Sequence, residues 1–538
     1  MYTQMLKNLF ISLLLIISAN CKSTEPADVR SAPAEYTFVT YNVENLFDAD
    51  GIAKYSDYNT TDREGNPLYT KEDVLTKIQH AIQVLKEYND GKGPDILALV
   101  ELESDFSPTK DDYADAGDFL GQYAHTTLEK MLTTEFDEKV KDLPSEWLLL
   151  KGMIDSGMWN YQVEVGYPPM ENGEPTTVQK TAVFSRFPVL REKTRIHPLE
   201  RARPILEAHI DVHGNELVVF ANHWKSGAGS AEMEEVRLQN AQVLRDRLDI
   251  LLAENPQIDF VLAGDFNSDY NQSTRYDFPK TAINDVLGSS GDKLCFTGKA
   301  LSFETSNGQK MPEKCDDVNV YNLWYNYPIN ERGSDTYRGY WGTLMQIMIS
   351  PGMYDLTGIR YVEDSFDKGD FEFNTFSSSG EPKRWSSTFV GSGYSDHLPV
   401  SMKFKVIEEE DKREELNAFI MSNMTITSGD DDQWKPNPVE YHLPTMYKTE
   451  QDFTEVDPTV TPEFFNEYFY LKANVTKDYD FVVNGSTYDV YAPSFRLNEV
   501  LGEVAGTDTE IKFYGRFSQY RGNWQFVVES PEFIEIQE

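Results

Sequence analysis

Short apolar runs alternate with longer amphipathic stretches over residues 36–408, and this alternation predicts strands and helices in turn. Apolar positions three and four residues apart predict a helix that begins after Thr70, where Asp73 completes a capping box. The same spacing predicts a longer helix over residues 230–254. The apolar runs that predict buried strands are 38–43, 96–101 and 260–263. This order of elements indicates an α/β sandwich.

From about residue 441 the pattern changes to short strands alone. They are predicted over residues 468–475, 480–483, 488–491, 510–517 and 524–528. The last two form a hairpin that resembles the closing hairpin of an OB-fold, a barrel that binds oligonucleotides through aromatic side chains. Residues 428–538 carry 21 acidic and 8 basic side chains, whereas a groove for a nucleic-acid strand needs the opposite balance. We therefore expect an OB-like, protein-docking domain over residues 441–538, joined to the α/β domain by a charged linker over residues 409–440.

The N-terminus has the features of an export signal. Lys7 precedes an apolar run over residues 9–17, which is shorter than the roughly 20 residues of a transmembrane helix. The run leads into Ser-Ala-Asn-Cys at residues 18–21, which resembles a bacterial lipobox. These features predict a signal peptide over residues 1–20, a lipid on Cys21 and a tether over residues 21–35. The expected product is an exported lipoprotein on a cell-envelope membrane, facing the periplasm or the cell surface; an ordinary secreted protein is the alternative.

Composition narrows the range of partners. The chain has 49 Lys+Arg against 89 Asp+Glu, a formal charge of −40, which excludes tight nonspecific binding of polyanions by the whole surface. Residues 180–203 are an exception to this acidic composition, because they contain seven Lys/Arg and only two Glu. They form either a surface that binds an anionic substrate or a solvated hairpin. The remaining cysteines, Cys295 and Cys315, form an even pair, which in an exported protein predicts a disulfide.

Seven short segments, most of them at the ends of apolar runs, carry the candidate chemistry. They are Tyr-Asn-Val-Glu at 41–44, Leu-Val-Glu at 99–101, Thr-Ala-Val-Phe-Ser-Arg at 181–186, Asn-His-Trp at 222–224, Gly-Asp-Phe-Asn at 264–267, Trp-Gly-Thr-Leu-Met at 341–345 and Ser-Asp-His at 395–397. Their order and residue types resemble the endonuclease/exonuclease/phosphatase superfamily. The resemblance implies a DNase I-like fold, a four-layer α/β/β/α sandwich, and hydrolysis of phosphoester bonds with a divalent cation.

These residue types suit that chemistry. Phosphoester hydrolysis brings hydroxide to a shielded phosphorus and stabilises a departing alkoxide, and a hard divalent cation held by carboxylates serves both needs. Glu101, the first carboxylate after an apolar run, is the best candidate for direct coordination. By resemblance, the metal-binding residues are Asn42, Glu44, Glu101 and Asp396, and the catalytic residues are His223, Asp265, Asn267 and His397. Mg²⁺ is the expected ion, with Mn²⁺ or Ca²⁺ as alternatives.

One motif position departs from the superfamily. Met345 stands where the resemblance implies an Asp that accepts a hydrogen bond from His397, and Asp335 in the preceding loop is an alternative carboxylate. Because a thioether is a weak, uncharged acceptor, we expect a lowered pKa for His397 and weakened activity. The leading function is a membrane-anchored, metal-dependent phosphodiesterase, an endonuclease acting on nucleic acid. The alternatives are a phosphatase- or phospholipase-type hydrolase of a smaller phosphoester, and a catalytically weakened binding protein.

Overall fold

The computed structural model describes residues 34–51, 69–104, 116–291, 320–337, 340–377, 379–386, 392–407, 449, 452–453, 464–465, 467–493, 495–529 and 531–536. Two seven-stranded sheets form the first domain. The first sheet contains, in spatial order, Ile359–Tyr361, Val400–Val406, Glu35–Leu46, Ile96–Glu103, Gln179–Ser185 and Gln162–Gly166, with Asp367–Lys368 beside Val400–Val406. The second contains Ser289–Ser290, Val320–Asn322, Met345–Ile349, Asp259–Asp265, Asn215–His223, Ile205–Val212 and Arg195–His197. The strands predicted over residues 38–43, 96–101 and 260–263 are confirmed.

Buried apolar side chains fill layers on both faces of each sheet. Strand alternation directs Phe38 into the core between the two sheets and its neighbour Val39 to the outer face of the first sheet. The helices Lys71–Leu85 and Ser145–Asp155 cover that outer face. The helix Ala231–Glu254 covers the outer face of the second sheet. The result is the predicted α/β/β/α sandwich.

The helix Lys71–Leu85 begins where the sequence predicts. The Thr70 side chain accepts a hydrogen bond from the Asp73 amide, and the Asp73 carboxylate accepts one from the Thr70 amide at 2.9 Å. This capping box satisfies two of the donors that a helix leaves at its N-terminus. The other α-helices among the described residues are Ala116–Gln122, Leu128–Leu132, Glu138–Lys141, Ser145–Asp155, Ala231–Glu254, Gln272–Arg275 and Leu497–Leu501.

The C-terminal part of the chain forms a third sheet with its own core. Its strands, in spatial order, are Tyr468–Val475, Phe481–Val483, Ser486–Tyr491, Asn523–Val527, Glu510–Tyr520 and Ile534–Ile536. The strand Tyr468–Val475 also pairs with Glu510–Tyr520, so five of the strands close into a ring around Phe469 and Phe513. The region is rich in strands as predicted, while its OB-fold assignment and its docking role stay predictions.

This C-terminal sheet contacts the loop that precedes the last strand of the first sheet. Tyr468 Oη donates to Glu529 Oε2 at 3.1 Å, and Arg516 Nη2 donates to Glu529 Oε1 at 3.4 Å. Glu381, from the loop, accepts from Ser379 Oγ at 3.1 Å and lies close enough to Tyr468, Arg516 and Glu529 for each to act on its carboxyl group. Burial and the neighbouring Glu529 raise the pKa of Glu381 to about 7, although Arg516 and Tyr468 act to lower it.

Several predicted features lie outside the described residues. They are the signal peptide, Cys21 and its tether up to residue 33, the linker over residues 409–440, and the cysteines Cys295 and Cys315. Within the described ranges, no helix combines the length and the apolar character needed to cross a membrane.

Candidate active site

The candidate site residues lie where strands of both sheets end. His223 and Asp265 are the last residues of the adjacent parallel strands Asn215–His223 and Asp259–Asp265, and the register places them side by side. Gly264 permits this close approach, because its φ is 130° and a Cβ there would lie 2.0 Å from the carbonyl oxygen of Asn222. The local sequence therefore places a carboxylate and an imidazole side by side at the carboxyl ends of two neighbouring strands of the second sheet.

In the first sheet, breaks in the strand pairing set the direction of the Glu44 and Glu101 side chains. The pairing of the strands Glu35–Leu46 and Ile96–Glu103 shifts register after Asn42, and the pairing of Ile96–Glu103 with its other neighbour shifts around Glu101. Glu44 has a φ of 48° and Glu101 a φ of 65°, both in the left-handed region that side chains rarely adopt. Such bulges redirect side chains, and strained backbone of this kind clusters at functional sites. Alternation along a regular strand would not have placed Glu101 beside Asn42.

Asn42, Glu101, Asp265 and His223 form the centre of the site. Asn42 Nδ2 donates to Glu101 Oε1 at 3.0 Å and to Asp265 Oδ2 at 3.2 Å, and so joins the two sheets. His223 Nε2 lies 3.5 Å from Glu101 Oε1 and 3.8 Å from Asp265 Oδ2. The potential ligand atoms of Glu101, His223 and Asp265 all lie within 4.8 Å of one another.

The electrostatics of this cluster fit a divalent cation. Burial and the nearby Asp396 raise the pKa of Glu101 to about 7, although Arg203, Asn42 and His397 act to lower it. Burial also raises the pKa of Asp265. Two carboxylates taken out of water and held against each other need a compensating positive charge, and oxygen donors of this kind suit Mg²⁺. The donor set therefore fits the expected metal, with the carboxylates of Glu101 and Asp265 nearest to hold it. Asn42 directs its Nδ2 toward both carboxylates, and its Oδ1 accepts from the Glu44 amide at 2.9 Å, so its role as a metal ligand stays a prediction.

The two histidines of the site have opposite pKa shifts. Burial lowers the pKa of His223 well below its ordinary value, and the cations Arg203 and His397 lower it further. For His397, burial also lowers the pKa, but Asp396, Asp265 and further carboxylates outweigh burial and raise the pKa to about 9. His397 Nε2 lies 3.7 Å from Asp265 Oδ2 and 3.8 Å from Asp396 Oδ1. At neutral pH the site thus contains one neutral and one protonated imidazole.

The prediction that His397 titrates at a lowered pKa is therefore wrong. Met345 is fully buried and lies directly opposite Asp265 on the neighbouring antiparallel strand. Asp335 pairs with His397 in an isolated β-bridge and is one of the carboxylates that raise its pKa. The Leu344 amide donates to Asp335 Oδ1 at 3.0 Å and keeps the carboxylate in place. Asp335 thus supplies negative charge near His397 that Met345 cannot provide.

Glu44 and Asn267 are at the site but are bound to other protein groups. Arg384 donates to Glu44 Oε1 at 3.0 and 3.2 Å, and the Trp385 amide donates to Glu44 Oε2 at 2.5 Å. Asn267 donates through its amide to Asp265 Oδ1 at 2.8 Å and through Nδ2 to the carbonyl oxygen of Trp224 at 3.2 Å. Glu44 therefore orients Arg384, and Asn267 orients Asp265; a role for Glu44 as metal ligand stays a prediction.

Most of the basic side chains over residues 180–203 form ion pairs with acidic residues of the same protein. Lys180 pairs with Glu146 at 2.9 Å in the core, and Arg186 pairs with Asp95 at 3.3 Å. The last basic residues of this stretch differ, since Arg201 and Arg203 line a cavity of about 140 Å³ together with Thr177, Val178, Gln179, Ala202 and Lys225. Arg203 is close enough to Glu101 to lower its pKa, so the cavity opens beside the central cluster.

Sequence reasoning missed two basic residues of the site. It named Arg203 only as one member of the basic stretch, and it did not name Arg384. The excess of basic residues over 180–203 was the available signal for Arg203. Arg384 lies far along the chain from Glu44, and no local pattern connects the two.

One family and several solved structures are similar to this chain. Residues 39–397 match the Endonuclease/Exonuclease/phosphatase family. No curated protein matches. Similar solved structures include a truncated TDP2 from Caenorhabditis elegans, with 12% identity, a TM-score of 0.34, and coverage of 69% of this chain and 98% of that one. Another is an endonuclease/exonuclease/phosphatase family protein from Leptotrichia buccalis, with 13% identity, a TM-score of 0.32, and coverage of 69% and 99% respectively. Because the family match spans most of the chain and contains every candidate site residue, this protein belongs to the endonuclease/exonuclease/phosphatase family, whose members hydrolyse phosphoester bonds.

Proposed function

We propose that this protein is a divalent-metal-dependent phosphodiesterase that hydrolyses nucleic acid. The observation that carries the proposal is the carboxylate pair of Glu101 and Asp265, which would hold the ion, with His223 Nε2 3.5 Å from Glu101 Oε1 and 3.8 Å from Asp265 Oδ2. Asn42 binds both carboxylates and keeps them together. A cation bound there supplies Lewis-acid polarisation of a phosphoryl oxygen. Mg²⁺ is the proposed ion because the set is dominated by oxygen donors.

In this proposal His223 accepts a proton, and His397 donates a proton or stabilises negative charge. His223, with its lowered pKa, is neutral at pH 7 and can accept a proton from the attacking water. His397, with a pKa of about 9, is protonated at pH 7 and can stabilise the anionic phosphate or donate a proton to the leaving oxygen. Pairs of titratable groups whose environments separate their pKa values are typical of acid–base catalysis.

The cavity beside the cluster favours an extended anionic substrate. Arg201, Arg203 and Lys225 line it, in a chain whose formal charge is −40. A cationic cavity next to the reacting centre can bind a second phosphate of a polynucleotide while the scissile phosphate occupies the metal site. A phosphatase- or phospholipase-type activity on a smaller phosphoester is the second candidate, because a single terminal phosphate would use the same groups.

An activity assay on defined substrates separates these functions. The protein is incubated with Mg²⁺ and single-stranded DNA, duplex DNA, RNA, a phospholipid or an inositol phosphate. We expect nucleic-acid cleavage that EDTA abolishes. Release of phosphate from the inositol compound alone, or cleavage of the phospholipid alone, would establish the second candidate. Absence of hydrolysis on every substrate would indicate a binding protein.

We also propose that the enzyme is anchored to a cell-envelope membrane through a lipid on Cys21. The support is the apolar run over residues 9–17, which is followed by Ser-Ala-Asn-Cys. Labelling of producing cells with a radioactive fatty acid should mark the wild-type protein and leave Cys21→Ser unlabelled. Equal labelling of both would contradict the anchor.

A further inference from the structure

A two-stranded hairpin extends from the active site and ends in two exposed tyrosines. The strands Asp335–Tyr337 and Tyr340–Gly342 pair antiparallel, with Tyr337 opposite Tyr340 and Asp335 opposite Gly342. Tyr337 is 70% exposed and Tyr340 is 50% exposed. Directly opposite residues of an antiparallel pair project to the same side, so the two rings occupy one face of the hairpin.

That face is the one that carries Asp335 into the active site. Side chains alternate along a strand, so Asp335 and Tyr337 project from the same face. The position of the Asp335 carboxylate agrees with this, since a Cβ added to Gly342 would lie 2.4 Å from Asp335 Oδ2. Two residues along a strand span about 7 Å. The Cα atoms of Tyr337 and Asp335 are therefore about 7 Å apart, and Asp335 is one of the carboxylates that raise the pKa of His397.

The opposite face of the hairpin fixes it to the protein. Trp341 is 9% exposed and belongs to the core between the sheets. Arg275 Nη2 donates to the carbonyl oxygen of Trp341 at 2.8 Å, and Lys368 Nζ lies 5.4 Å from the centre of the Trp341 ring. The tyrosines are thus presented on a base that is buried and hydrogen-bonded.

We propose that Tyr337 and Tyr340 form a stacking platform for an unpaired base of the substrate strand, which makes single-stranded nucleic acid the preferred substrate. This inference rests on the proposed function and names its substrate class. Aromatic side chains stack on any base because every base has a π-face, and in a duplex those faces are already covered by neighbouring bases. A membrane surface is the less favoured occupant, because the tyrosine pair lies two residues along the strand from Asp335, beside the site where the substrate strand would be cleaved.

The test measures binding without turnover. A fluorescent single-stranded oligonucleotide, an abasic oligonucleotide of the same length and the matching duplex are titrated with the protein in EDTA. Tyr337→Ala/Tyr340→Ala should weaken the Kd for the single strand by about tenfold or more and leave the Kd for the abasic strand within about twofold. Tyr337→Phe/Tyr340→Phe should bind like the wild type, because Phe keeps the ring.

Three outcomes would overturn the platform: equal weakening for the normal and abasic strands, no weakening, or wild-type binding that does not favour the single strand over the duplex. Loss of binding to phosphatidylcholine vesicles in the Ala variant, with oligonucleotide binding intact, would assign the hairpin to a bilayer instead. Failure of the proposed function is a separate result. It would appear as absent Mg²⁺-dependent cleavage of every nucleic acid, whatever the oligonucleotide Kd.

Discussion

Asp335 pairs with His397 in an isolated antiparallel β-bridge, and its carboxylate helps to raise the pKa of His397. Burial would lower that pKa, yet the surrounding carboxylates raise it to about 9. Asp335 therefore supplies part of the negative charge that Met345 lacks, together with Asp396 and Asp265. Asp335 does not supply the hydrogen bond, because His397 Nδ1 is buried without a hydrogen-bond partner among the described residues.

Replacement of Asp335 should show that the pKa of His397 depends on the Asp335 carboxylate. The raised pKa means that His397 is protonated at neutral pH and loses its proton as the pH rises through about 9. Asp335→Asn keeps the shape but removes the charge, so the alkaline limb of the pH–rate profile should move to lower pH. We expect a fall in kcat/KM of roughly 10–100-fold, the usual cost of losing such an outer partner. An alkaline limb at its wild-type position would show that Asp335 does not act on His397.

A second substitution is the control for that result. Met345 faces Asp265, which lies 3.7 Å from His397, so an Asp at this position can restore negative charge nearby. In the Asp335→Asn background, Met345→Asp should recover at least about tenfold in rate and return the alkaline limb toward its original pH. In the wild-type background, the sequence-based expectation that Met345→Asp raises the rate by at least about tenfold stays a prediction.

Loss of Glu101 should remove metal binding together with activity. Glu101→Gln keeps the side-chain volume but removes one of two central carboxylates, and hard cations depend on that charge. Calorimetric Mg²⁺ affinity should fall by more than the roughly 10–100-fold that loss of an outer partner costs. Glu138→Gln is the matched control, because the Glu138 side chain is 90% exposed. Unchanged Mg²⁺ affinity in Glu101→Gln would remove Glu101 from the metal site.

Stability should depend on Glu207 in a pH-dependent manner. Burial acts to raise the pKa of Glu207, but hydrogen bonds from His197, His209 and Arg247 outweigh it and leave the pKa well below its ordinary range. The group therefore contributes stability above its unfolded pKa of about 4.3, and this contribution is lost as the pH falls below that value.

Glu207→Gln should lower the free energy of unfolding at pH 7 by about 3–5 kcal/mol, because it leaves buried partners uncompensated. Urea unfolding measured from pH 7 to pH 3.5 checks both the size and the trend. The difference from wild type should shrink below about pH 4.3. A difference independent of pH would mean that the charge of Glu207 is not the stabilising factor.

The C-terminal sheet should be energetically coupled to the first domain. Glu381 and Tyr468 lie close enough for each to act on the pKa of the other, and the loop that carries Glu381 also carries Arg384, which binds Glu44. A double-mutant cycle of Glu381→Gln and Tyr468→Phe should give an interaction energy of about 0.5–3 kcal/mol in urea unfolding. Additive effects would show that the C-terminal sheet folds independently of this loop.

Local patterns were sufficient for much of the fold and for the identity of the site residues. The capping box at Thr70 and Asp73 marked a helix start because both partners lie within one turn. The strand ending at Asp265 was visible because apolar runs and their terminal polar residues are contiguous in sequence. The order of such segments along the chain indicated the family and the α/β/β/α sandwich, since the order of elements restricts how sheets can be assembled.

Only the tertiary structure decided the protonation state of those residues, the direction of their side chains and the groups that they contact. The bulges that turn Glu44 and Glu101 into the site depend on strand register, which no single strand encodes. The partnership of Arg384 with Glu44 and the raised pKa of His397 arise from groups that are distant in sequence and adjacent in space. Sequence by itself determined which chemical groups this protein brings to its site. Tertiary structure decided their protonation, because Coulomb energies and desolvation depend on three-dimensional distance and burial, which are settled only when both sheets pack.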